Sequence, residues 1–443
     1  MPPRGSDVAG VGAVRAQQGQ VLVLGMLLVA VLGLAWLRYF ATGQTVAAKT
    51  RLLHGLDAAT YSGALVQART LNLLSYLNRA QLAHQLAMAH LLTLGSWAHF
   101  GGTQAGRLAQ GNPPAYLIGM LFGAGQGRAY LSAAAAVGLQ AQVRTQGPLG
   151  QAFAAHESFV HDYARELSAA LVRELPQTRL AAMQAVLAAH YPERAADTLR
   201  PVVSSDGWPA LLQRHAPDAA LFALVRKVAA PYAFLGPRDS TARNPWSVSP
   251  RCPSLRHELR RRGATALDAS GRWQAGDTVS YHALRSNPWI GCYYREYAMG
   301  WAWMPAQAGQ EISPDYSPDA PADFSAQDFW RWVQASTSWD LLGGQSNPLA
   351  NSYAMFEQFS WPSRGLAAYF DVAPGQGAQA AAGFVAELTL DMPEGPSLHA
   401  RSAAETLFSR PERRADGQRE AANLFHPYWQ ARLAAPLARL PGD

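Results

Sequence analysis

The chain has 443 residues, a formal net charge of +6, 49% apolar residues and 15% charged ones. It is too apolar to be disordered and long enough for two or three domains with a sizeable core. The charge is mild, and the densest basic cluster, RHELRRRG with Arg256, Arg260, Arg261 and Arg262, has no aromatic stacking platform interleaved with it, which argues against a nucleic-acid partner.

Residues 1–19 form a short tail. The run Val21 to Leu37 that follows carries no charge. A cleavable secretory signal has an apolar core of about 7–15 residues with small residues close behind it. Here the core is longer, and the small-residue stretch Val46-Ala47-Ala48 lies about two to three helical turns beyond it. Seventeen helical residues span ~25 Å, close to the ~30 Å core of a bilayer once the flanks are added. Trp36, Tyr39 and Phe40 supply half an aromatic belt, and Gly25 and Gly33 allow close helix packing. The reading is one transmembrane helix over residues 20–40. Flanking positive charges tie, with Arg4 and Arg15 before the run and Arg38, Lys49 and Arg51 after it. The short tail and the lack of a second span favour a cytoplasmic N-terminus with the bulk exported. The nearest other apolar run, LAMAHLLTLGSWAHF, is interrupted by His90 and Gly95.

From Ala41 to about Phe100 there is no Pro, and a 4-3 alternation runs through Leu52, Leu56, Ala59, Gly63, Val66, Thr70, Leu73, Leu77 and Ala80. This predicts a long amphipathic helix whose seam wants a partner helix. Its other faces carry Asp57, Gln67, Arg69, Asn72 and Asn78, and Gly55 and Gly63 are positions where it can bend. Residues 101–127 read as a loop or hinge, with GAGQGR (Gly123 to Arg128) at its end. Helices are predicted over 128–142, 151–175 and 178–191, which makes residues 41–195 a mainly helical region. Pro, Gly, Trp and Tyr rise after Pro192. DTVSYHAL, EYAMGWAWM, LAAYFDVA and GFVAELTLDM read as strands, and Ser325/Asp328 and Ser346-Asn347-Pro348 read as helix starts. The fold class is therefore α+β, with residues 196–443 a mixed domain holding an antiparallel sheet. RHELRRRG reads as a solvated helix end, with an anion-binding patch as the alternative.

Few residues promise chemistry. HESFVH, His156 to His161, has its histidines five apart, where a zinc-protease helix needs four, and reads as helix surface. His84 and His90 read as polar-face or interfacial residues. Asp277 and His282 sit close enough in sequence to pair. There is no GxSxG elbow or phosphate loop. No catalytic, cofactor or metal site is expected, and the chain reads as a non-enzyme. Cys252 and Cys292, 40 residues apart, are too distant in sequence for a CxxC metal site. In an exported domain a disulfide is their natural pairing.

Residues 15–100 carry an ordered set of features. Gly19-Gln20 precede the apolar run, and the helix after it carries Asp57, Ala58, Ala59, Tyr61, Ser62, Ala68, Arg69, Leu71, Asn72, Tyr76, Asn78, Arg79 and Ala80. This resembles the N-terminal region of TadE/TadG-like pilus-assembly proteins, over about a quarter of the chain. The resemblance implies a single-pass inner-membrane protein of a Tad (Flp-type) pilus with its bulk periplasmic. Asp57, Tyr61, Arg69, Asn72, Asn78 and Arg79 would form a helix-packing motif, and the partners would be the membrane, other pilus-machine subunits or a second copy. Pilin-type leaders keep a Glu five residues after the cut. A cut after Gly19 would put Leu24 there, which argues against pilin-type processing and ordinary filament insertion, and the implied role is structural, minor-pilin-like or an assembly and anchoring factor.

Overall fold

The computed structural model describes residues 18–288, 291–305, 347–375, 380–392, 397–412 and 414–435. Its dominant element is α1, Gln18–Gln110, a single helix of 93 residues and so roughly 140 Å long at ~1.5 Å per residue. With no Pro in it, nothing removes a backbone donor until Gly111, in the left-handed region at φ 63°, and Pro113 stop it. The loop expected from residue 101 is thus not there. Gly101 serves close packing instead of a break: a Cβ at that position would lie 2.8 Å from Ala136 Cβ.

Two short helices follow, α2 (Ala115–Phe122) and α3 (Ala124–Ser132). They fold back on each other at Gly123, whose φ of 99° suits only Gly, so the hinge expected over GAGQGR is Gly123 alone and the rest of that stretch starts α3. A Cβ at Gly127 would meet Gly119 Cα at 2.8 Å, which is how closely the hairpin packs. The helix predicted over 128–142 ends at Ser132 and gives way to 3-10 turns at Ala133–Ala136 and Leu139–Val143. Next, α4 (Pro148–Ser158), a π-helical turn (Phe159–Ala164) and α5 (Arg165–His190) run on without interruption. The break expected between 175 and 178 does not occur. Pro176 lies inside α5, where buried Leu175 packs on Ala68 and Leu71 of α1, and tertiary packing outweighs the local preference to stop.

The remaining elements are β1 (Val202–Asp206), the single turn α6 (Trp208–Leu211), β2 (Leu212–His215), α7 (Ala219–Ala229), β3 (Ser240–Arg243), β4 (Glu258–Leu267), β5 (Trp273–Asn287), β6 (Gly291–Met304), α8 (Pro348–Phe356), β7 (Tyr369–Val372), β8 (Ala381–Leu390), β9 (Leu398–Phe408) and β10 (Trp429–Ala434). One sheet has the order β1-β8-β9-β10, a second β3-β4-β5-β6, and β2 pairs with β7. Every pairing is antiparallel. The fold is α+β. The windows read as strands fall on β5, β6, β7 and β8, and α8 starts at Pro348 as expected. The helix start at Ser325/Asp328 lies outside the described residues. RHELRRRG, expected as a helix end, is the start of strand β4, with Arg260 buried.

α1 enters both main cores. Near its middle, Leu52, Leu56 and Ala59 pack with Met183 and Leu187 of α5 and Phe384 and Leu388 of β8. Farther along, Met88, Ala89 and Leu92 pack with Trp273, Met304 and Trp361. Gly55 and Gly63 mark close approach more than bending: a Cβ at Gly63 would lie 3.0 Å from Met183 Cγ. One sheet is thus hung on the first packed stretch of α1 and the other on its last.

Candidate functional site

The residues that make this arrangement specific are polar. Along the inner face of α1, polar side chains bond backbone and side-chain groups from the C-terminal half of the chain. Ser402 Oγ donates to Asp57 Oδ1 (2.6 Å). Gln67 Nε2 donates to the Ala382 carbonyl (3.1 Å) and to Thr406 Oγ1 (2.8 Å), and Gln67 Oε1 accepts from Arg179 Nη1 (2.8 Å), which also pairs with Asp206. Asn72 pairs with Trp429 as another strand would, donating to its carbonyl and accepting its N–H, both at 3.0 Å. Asn78 Nδ2 donates to the carbonyls of Phe370 (2.9 Å) and Leu424 (2.7 Å).

The second sheet repeats the device. Thr93 Oγ1 meets Thr265 Oγ1 at 2.7 Å, and Ser96 donates to Asp277 Oδ2 (2.7 Å), whose carboxylate also takes Arg238. Thr103 Oγ1 donates to the Trp301 carbonyl (2.7 Å) and accepts its N–H (2.9 Å). Buried amides and hydroxyls bonded in this way fix register, because a slip would strand every one of them.

Of the six motif residues, Asp57, Asn72 and Asn78 face the sheets, while Tyr61, Arg69 and Arg79 are exposed. Gln67 and Asn78, expected on the outer faces, are buried. Leu73, expected in the seam, is 41% exposed. The buried arc is wider than the predicted seam and follows 3.6 residues per turn, where the expected one followed 3.5, so the two drift apart along the helix. The available signal was charge: every polar side chain at a buried position from Thr60 to Thr103 is neutral.

The other candidates have structural partners. His156 Nδ1 lies 2.8 Å from His84 Nδ1, and His84 stacks on Phe159 with centroids 3.9 Å apart. Burial holds both imidazoles below their usual range. HESFVH is not helix surface. The π turn brings His161 inward to the Gly365 carbonyl (2.9 Å), and Glu157 accepts from Ser363 Oγ (2.6 Å). Asp277 and His282 do not pair with each other, since Asp277 is held by Arg238 and Ser96, while His282 Nε2 lies 2.9 Å from Ser280 Oγ and 3.6 Å from Glu296. Glu296 accepts the Leu349 N–H (3.0 Å), holding the start of α8 to the sheet, and its burial raises its carboxyl above the usual range. The basic cluster is internally engaged: Arg260 binds Glu258 (2.8 Å), and Arg262 binds the Ser240 carbonyl (3.1 Å). Cys252 and Cys292 are joined in a disulfide.

An open cavity of about 440 Å³ lies between β4–β6 and α8, bordered by Asp239, Arg262, Gln274, Thr278, Trp303 and Met355. Its described lining holds no Ser, Cys, His, Lys or Tyr. Among the described residues no three His, Cys, Asp or Glu side chains gather as metal ligands would. Comparison with known proteins returned no matching family model, no similar curated protein and no similar solved structure.

Proposed function

We propose that the chain is a membrane-anchored structural or assembly component of a Tad (Flp-type) pilus or a related secretion machine, acting through helix packing and not catalysis. The observation that carries this reading is the continuity of α1. Residues 21–47 are all exposed and include a stretch long and apolar enough to cross a membrane, and the same unbroken helix then becomes the spine of the fold. A rigid rod joining a bilayer to two sheets suits a part that transmits position. In this reading the N-terminus is cytoplasmic, the span lies in the bacterial inner membrane and the bulk is periplasmic, where a disulfide persists. The matched residues Asp57, Asn72 and Asn78 then hold the anchor helix to the exported domain. Deleting the gene and counting surface pili by electron microscopy tests the role. Loss of pili is expected, and normal pili would sink it.

The cavity beside Arg262 supports a second reading, a membrane-anchored periplasmic ligand-binding protein or enzyme. A thermal-shift screen of small anions against the full chain tests it. A shift that disappears in Arg262→Ala would favour this reading over the first.

A further inference from the structure

Among the described residues the outer face of α1 is open at Tyr61, Arg69, Leu73, Tyr76 and Arg79, while farther along it is partly covered, Trp97 meeting Phe234 and Arg238. Tyr61, Leu73, Tyr76, Leu94 and Trp97 are 42, 41, 56, 47 and 37% exposed. Single exposed apolar residues are ordinary, but these recur at helical spacing in one stripe. Arg69 and Arg79 lie in the same stripe. Neither makes an ion pair or side-chain hydrogen bond among the described residues; other exposed arginines, such as Arg128 and Arg226, are likewise unpaired, but these two share one face with the exposed aromatics. Tyr, Trp and Arg together, desolvated at a centre, are the side chains that dominate protein interfaces.

The stripe continues toward the N-terminus, through Gly43 just beyond the apolar stretch and Gly33 and Gly25 within it. Gly25, Gly33 and Gly43 each precede Tyr61, Arg69 and Arg79 by the same interval, which is about ten turns at 3.6 residues per turn. They therefore lie on the same side. Each Gly weakens a helix relative to Ala, yet a Cβ at any of the three would touch nothing among the described residues. Small residues in a line are what a second helix needs to approach closely within a bilayer.

We propose that this face docks the helix of a second, different membrane-anchored chain, glycine-lined contact within the bilayer leading into a carboxylate-bearing stretch against Arg69 and Arg79. The proposal rests on the membrane-anchored reading above. A second copy of this chain does not fit in parallel, because Asp57 is the only acidic residue in α1 and it is held by Ser402. Like copies would set Arg69 and Arg79 against each other. Lipid headgroups do not fit either. Arg69 lies roughly 40 Å beyond Phe40 along the helix, several times the ~8 Å screening length.

The test is in-cell photocrosslinking of the full chain in its native host. Benzophenone side chains replace Tyr61 and Tyr76, with Tyr163 on the far helix as control. The expected result is an adduct from positions 61 and 76 mapped to an acidic helix adjoining a transmembrane segment of another protein. It should drop at least about tenfold in Arg69→Glu/Arg79→Glu and return when the facing carboxylates of the partner are changed to Arg. Adducts with a second copy, adducts with lipid alone, no adduct, or an adduct indifferent to charge reversal would each overturn the proposal. Both arginines are exposed, so an unchanged melting temperature in the double variant shows that it folds. Pili that persist while the adduct is lost on charge reversal would remove the assembly role and leave the docking face. Pili lost on gene deletion, with an adduct insensitive to reversal, would do the opposite.

Discussion

Asn78 shows how much one neutral side chain carries. Its amide is the shared donor for two buried carbonyls, those of Phe370 and Leu424. Asn78→Leu keeps the volume and strands both, at about 1–3 kcal/mol for each unsatisfied group. The expected loss is about 2–4 kcal/mol in urea unfolding, and a loss below ~1 kcal/mol would show that the carbonyls find other partners. His99 gives a pH signature. It is almost wholly buried against the Phe359 ring, and burial pushes its imidazole down to about 4 from 6.5. Between those values the unfolded chain takes up a proton that the folded chain refuses. Stability is therefore complete above about pH 6.5 and falls as the pH drops toward 4, by up to roughly 3 kcal/mol from this group. His99→Leu should flatten that part of the stability–pH curve.

At the scale of elements, the disulfide joins the segment between β3 and β4 to the start of β6, closing a sequence separation of 40. Cys252→Ser/Cys292→Ser is expected to lower stability by about 3–4 kcal/mol in the loop-entropy picture, read as a lower melting temperature in non-reducing buffer. An unchanged melting temperature would show that the bridge adds nothing to the fold. The legibility of elements followed the same logic of local against distant forces. α1 could be read because a long Pro-free apolar-periodic stretch has few alternatives. β5, β6 and β8 could be read because their residues alternate or are β-prone. β4 could not, since Arg260, Arg261 and Arg262 in succession look like solvated helix, and only pairing with β5 and Glu258 accounts for them. The inner face of α1 was half legible: its apolar members showed as a seam, but Gln67, Asn72 and Asn78 gain their role from carbonyls on β7, β8, β10 and the segment before β10, which no local pattern reveals.

The whole molecule is a rod with its mass hung toward one end. Because residues 21–47 are wholly exposed, a chain beginning at residue 48 should keep its melting temperature within about 2 °C while no longer needing detergent. A larger drop would mean that the first part of α1 supports the fold. Mass spectrometry of the mature protein decides the companion question of processing. An intact N-terminus is expected, a start at Gln20 would mean pilin-type cleavage, and a start at Lys49 would mean secretion. The pairing of Asn72 with Trp429 also sets a clock. The two residues are 357 positions apart, and at ~5–20 residues per second the ribosome needs on the order of 20–70 s to make that interval. Through that time the spine exists without its last strand, its amides open to any other strand edge. A chain born in this order holds Asn72 without its native partner until almost all of the protein has been made.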